Sequence, residues 1–221
     1  VLEGGGYRGI FTAGILDVLM EHALTDEFAS VWGTSAGAMN AIDLKSRQIG
    51  RTMRIMLAYR DDRRFMSFTS LVRTGNLTGG DFVYDEVQNR LDPCDCDAFN
   101  TNPMRMYAVA SDVVFGTAAY LPVNFLPKDI VKVRASASLP LVSQIVEIDG
   151  HRYLDGGTTD SIPYAVALGL PDAVSCLPQG YTPSARAIVV ITQDRSYEKT
   201  QTNEMIAIRS HRYDDYPYYL E

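Results

Sequence analysis

Apolar and polar positions along the chain alternate between the two periods that separate helices from strands. Val1–Glu3 reads as the end of a buried strand. After a run of glycines, Ile10, Phe11, Ile15, Val18 and Leu19 recur on one helical face, which predicts an amphipathic helix over Ile10–His22. Phe28–Trp32 is short, apolar and partly β-branched, the pattern of a strand. Small, helix-forming residues resume over Ala36–Leu44. A chain that opens β-α-β-α points to an α/β fold with a parallel sheet and right-handed crossovers.

Further along, Arg105–Ser111 and Thr117–Leu121 predict a hairpin turning near Phe115-Gly116. Lys128–Ser138 reads as a helix ended by Leu139-Pro140. Gln144–Ile148 and Arg152–Leu154 flank Asp149-Gly150, a strong two-residue hairpin turn. Pro163–Leu168 predicts a helix stopped at Gly169, and Ala187–Thr192 a buried strand. The middle of the chain is less regular, and no internal repeat is present. Leu177–Ala185, with two prolines and a glycine, reads as a loop.

Composition narrows the function classes. With 221 residues, 46% hydrophobic and 21% charged, the chain is expected to fold as a single domain, 1–221, with a sizeable core. A formal charge of −7 argues against nucleic acid as a partner, since that binding needs a basic surface. No apolar run reaches the roughly 18 residues of a membrane-spanning helix. Cys94, Cys96 and Cys176 lack zinc-site spacing and read as free thiols of a reducing compartment. The expected location is therefore cytoplasmic, with no metal and no cofactor. Lys45–Arg73 carries eight basic residues against two aspartates, interleaved with Met and Phe. That segment is either a solvated helix face with ordinary core residues or a peripheral membrane contact.

The glycines raise the chemical question. Gly4-x-Gly6-x-x-Gly9 formally satisfies the dinucleotide fingerprint, but the second strand runs into Gly33-Thr34-Ser35 with no carboxylate to hold a ribose. Gly33-Thr34-Ser35-Ala36-Gly37 is a G-x-S-x-G between a predicted strand and helix, the context of a nucleophile elbow. The pentapeptide alone also fits a small-residue turn with a capping serine. Together the two loops suit one carboxyl edge of a sheet. Ser35 would then be a nucleophile, with the N–H groups of Ala36 and of Gly4, Gly5 and Gly6 facing an oxyanion. For the base, His22 precedes the serine, His151 lies in a hairpin turn, and His211 sits in a polar, tyrosine-rich tail. Asp155, at a predicted strand end before Gly156 and Gly157, is the better candidate.

Gly4-Gly5-Gly6-Tyr7-Arg8-Gly9, Gly33-Thr34-Ser35-Ala36-Gly37 and Asp155-Gly156-Gly157, in that order, resemble the three signature blocks of the patatin-like phospholipases. The opening EGGGYRGIFTAGILD and the RASASLP stretch are similar to the bacterial branch of that family. The resemblance runs from the first residues to about Gly169. It implies a three-layer α/β/α domain with a mainly parallel central sheet; the chain, which begins without Met, is expected to be trimmed at both ends. It implies a Ser35–Asp155 dyad without histidine, an oxyanion hole at Gly4–Gly6 aided by Ala36, and Arg8 as a supporting residue. Gly33, Gly37, Gly156 and Gly157 would shape the turns. The implied substrate is a lipid or other acyl ester; the alternative is a catalytically silent lipid- or partner-binding module. A free aspartate, with pKa about 3.9, is a weak base for serine, so partial burial is expected to raise its proton affinity.

Overall fold

Alternate residues of two neighbouring strands divide the core between the two faces of one sheet. A computed structural model describes residues 1–65, 70–72, 75–77, 79–194, 196–197 and 210–220. The strands are β1 (Ser30–Thr34), β2 (Arg105–Asp112), β3 (Thr117–Pro122), β4 (Val146–Ile148) and β5 (His151–Asp155). The main helices are α1 (Gly9–Glu21), α2 (Ala36–Ser46), α3 (Arg51–Tyr59), α4 (Cys96–Thr101), α5 (Ile130–Ser136) and α6 (Tyr164–Leu168), with a π-helix at Phe82–Leu91.

Val31, Met106 and Ala108 point to the face covered by α1, α2 and the π-helix. Ala110 continues that face against Ala135 of α5. On the other face Trp32 stacks on Tyr107 at 4.1 Å and packs with Val166, Ala167 and Tyr181. The architecture is thus α/β/α. The sheet is mixed: Leu2, β1 and β2 run parallel, while β3, β5 and β4 join antiparallel.

The register of β2 fixes where strand ends meet. β1 pairs with Arg105–Val109, β3 with Tyr107–Asp112 and β5 with Ala110–Asp112. β3 overlaps both of the others, so it occupies one side of β2 and leaves β1 and β5 on the opposite side. There the two meet end to end: Thr34 lies opposite Val109 and Asp155 opposite Ala110.

Local chemistry explains the boundaries. Asp149 and Gly150 take φ of 51° and 81°, the left-handed pair a tight β4–β5 turn requires. Gly169, at φ 62°, ends α6 as its left-handed cap. β1 starts at Ser30 rather than Phe28 because Phe28 still closes the turn begun at Thr25 (N–H to O 3.3 Å). The expected buried strand at Ala187–Thr192 is corrected: only Val190 bridges Leu2, and Ile188 and Val189 are 54% and 40% exposed. Its apolar run matches a core strand in composition, yet it forms a single bridge, with one further bond from the Val1 amine to Ile188 O at 2.8 Å.

Candidate active site

Ser35 stands at the junction of β1 and α2 with φ 55° and ψ −121°, a conformation that costs a non-glycine residue energy. The glycines beside it are there because nothing larger fits. A Cβ on Gly33 would lie 2.5 Å from Ala38 N, and one on Gly37 would lie 2.4 Å from Leu2 O. The tight strand-to-helix turn predicted for G-x-S-x-G is present. Ala36 opens α2, so its N–H belongs to the first turn, whose donors have no intrahelical acceptor. Ser35 itself is only 8% exposed.

The N-terminal glycine loop packs directly on this turn. A Cβ on Gly4 would come within 3.0 Å of Ser35 Cβ, and one on Gly9 within 3.0 Å of Ala36 Cβ. Leu2 threads beside β1, with Leu2 N–H to Trp32 O at 2.7 Å and Thr34 N–H to Leu2 O at 3.2 Å. Two polar residues then fix the loop. Thr192 donates its hydroxyl to Gly4 O at 2.8 Å and its N–H to the Glu3 carboxylate. Asn40, buried in α2, donates from Nδ2 to Gly9 O at 3.0 Å. Gly5 and Gly6 complete the exposed side, where the Arg8 guanidinium folds over Gly5.

Asp155 ends β5 and is 3% exposed. Its Oδ1 accepts from Gly157 N–H at 2.7 Å, which turns the chain into the Gly156–Thr158 turn. Gly156 has no room for a side chain, since a Cβ there would lie 2.2 Å from Val109 O. Two tyrosines feel the Asp155 charge. Burial, and then that carboxylate, push the Tyr84 hydroxyl well above its ordinary range, with Arg134 opposing. Burial and the same charge also raise Tyr219, against the hydrogen bond it shares with Thr158.

A short segment at the end of α5 touches both halves of the site. Ser136 Oγ accepts from Ser35 N–H at 2.9 Å and donates to Val109 O at 2.5 Å. Two residues on, Ser138 O accepts from Asp155 N–H at 2.8 Å. Sequence reasoning missed Ser136, Ser138, Asn40 and Thr192 as site residues. RASASLP carried the family likeness, but nothing local assigns its serine a partner 101 positions away. Replacing Ser136 by Ala strands a buried N–H at the elbow. We expect a loss of about 1–3 kcal/mol, read as a lower urea midpoint at unchanged slope. An unchanged midpoint would show that this hydroxyl does not support the turn.

The other sequence candidates lie elsewhere. His151 pairs with Asp112 at 3.0 Å, and His211 pairs with Asp214 at 3.0 Å on the surface. The Lys45–Arg73 segment is neither wholly solvated nor bare. Lys45 is buried with its ammonium 4.3 Å from the Phe99 ring centre. Arg51 is buried against Asp43 (2.8 Å) and Gln88 (2.8 Å), and burial raises Asp43 while Arg51 opposes that rise. Arg47, Arg54 and Arg64 answer to Asp26, Asp92 and Asp62. Met66, Phe68 and Arg73 lie outside the described residues. Among the described residues no helix is long and apolar enough to cross a membrane.

Comparison with known proteins places these observations. Residues 1–168 match the family model described as patatin-like phospholipase. Over 176 residues the chain is 33% identical to the uncharacterized protein YjjU of Escherichia coli K12, covering 74% of this chain and 46% of YjjU. The chain therefore spans less than half the length of that relative.

Proposed function

Because the chain belongs to the patatin-like phospholipase family, we propose that it is a lipid acyl hydrolase in which Ser35 is the nucleophile and Asp155 the general base. Ser35 Oγ attacks the ester carbonyl carbon while the Asp155 carboxylate takes its proton. The oxyanion that forms faces the Ala36 N–H, the N-terminal end of α2 and the Gly4–Gly6 loop. Collapse breaks the carbon–oxygen bond to the alcohol, which leaves with the proton from Asp155. Water then loses a proton to Asp155 and attacks the acyl-serine, releasing the acid and returning the proton to Ser35. Every proton is carried by groups of this chain.

The observation that carries this reading is the end-to-end meeting of β1 and β5 on one side of β2. It puts the residues at the two strand ends opposite consecutive positions, Val109 and Ala110. The shared bracket at Ser136 and Ser138 supports the same convergence. Incubation with a panel of phospholipids, glycerides and short esters, read by mass spectrometry, tests the proposal. We expect free fatty acid from at least one lipid with the unaltered protein and none with Ser35→Ala. Lipid binding by a folded protein that releases no acid would make it a binding module instead.

A further inference from the structure

A cleft of about 330 Å³ opens between the π-helix and α5, which borders it with Ile130, Val131 and Arg134. Its polar lining includes Arg134, Asp81, Asp85 and Asn89, and Tyr84, Pro127 and Ile130 form apolar walls. Arg134 Nη1 lies 3.7 Å from Asp81 Oδ1, beyond hydrogen-bond length, and the Asp81 side chain is almost fully exposed. Asp85 is exposed and accepts from Asn89 at 2.7 Å. Gly80 keeps the guanidinium uncovered, since a Cβ there would lie 3.0 Å from Arg134 Cζ.

The cleft thus offers one guanidinium and two carboxylates side by side. An isolated anion gains Arg134 but meets two like charges, and an isolated cation meets the reverse conflict. A ligand with both charges satisfies both. Guanidinium matches a phosphodiester through its planar pair of N–H groups. The carboxylates suit a primary ammonium, which has N–H donors, whereas a quaternary ammonium calls for an aromatic cage. Of the lining residues only Tyr84 is aromatic.

We propose that this cleft binds a phosphoethanolamine group, its phosphate on Arg134 and its ammonium between Asp81 and Asp85, as the head group of the lipid cleaved at Ser35. This rests on the hydrolase reading above. α5 connects the two places: it carries Arg134 into the cleft and, two residues on, Ser136, whose Oγ accepts from Ser35 N–H at 2.9 Å.

Isothermal titration of the full Ser35→Ala chain with glycerophosphoethanolamine, glycerophosphate and ethanolamine tests the site. The zwitterion should bind about tenfold or more tightly than glycerophosphate or ethanolamine, each of which carries charge of one sign only. Arg134→Gln and the double variant Asp81→Asn/Asp85→Asn should each remove that preference. Arg134→Lys keeps the charge without the fork and serves should Arg134→Gln fail to fold. Flotation with phosphatidylethanolamine and phosphatidylcholine vesicles separates the sources. An ethanolamine-lipid preference lost in Arg134→Gln supports the membrane lipid. Zwitterion binding with no such preference overturns the head-group assignment in favour of a soluble phosphodiester. Equal affinity for all three soluble probes, or a preference unchanged in the variants, overturns the site. No chemistry occurs in the titration, so its failure stays distinct from failure of the hydrolase reading, which ester turnover reports.

Discussion

Asp155→Asn should lower turnover of a short p-nitrophenyl ester by roughly 10²–10⁴-fold, the range of a lost general base, while the protein stays folded. The two effects separate for a structural reason. Asp155 Oδ1 accepts from Gly157 N–H, and an asparagine amide oxygen accepts equally well, so the turn after β5 keeps its hydrogen bond. What asparagine cannot do is take a proton from Ser35. The comparison needs turnover and thermal unfolding on the same preparations. Near-normal turnover in a folded Asp155→Asn protein would remove Asp155 from the chemistry.

The second large effect is expected at Gly37, which touches no substrate in the proposed reaction. An alanine Cβ there would lie 2.4 Å from Leu2 O and 2.9 Å from Glu3 O. The strand segment carrying the glycine loop must then move away from α2. Overpacking of this kind costs about 1–3 kcal/mol, and here it also pulls the loop off Ser35. Gly37→Ala should therefore lose both stability and esterase activity. Gly14, in the middle of α1, is the control: a Cβ there meets nothing within 4 Å. Gly14→Ala should be stabilising by about 0.5–1 kcal/mol, with activity unchanged. Denaturant midpoints and ester assays on the two variants check the contrast. Equal behaviour would mean that the packing of α2 on Leu2 and Glu3 does not hold the site.

Much of the frame was legible because local rules set it. Asp149-Gly150 announced its hairpin through the left-handed backbone such turns need, and Gly169 marked the end of α6 in the same way. The β-α-β-α opening pointed to the α/β class, and the three glycine blocks carried the family likeness that implied the layers. What was hidden depends on residues far apart in the chain. Ser136 looks like any small residue in a helix, and its role comes only from facing Ser35 and Val109. Arg51 sits in a run of charges that reads as a solvated face, yet it is buried because Asp43 and Gln88 arrive to pair with it. Ala187–Thr192 has the composition of a core strand, but strand burial depends on neighbours that its own residues do not specify.

The most direct measurement is covalent labelling with a fluorophosphonate, which needs a hydroxyl activated by a base and an oxyanion hole together. We expect one adduct per chain on the peptide containing Ser35, none in Ser35→Ala, and much slower labelling in Asp155→Asn. A folded chain that takes no label at Ser35, or that labels as fast with asparagine at 155, would contradict the account.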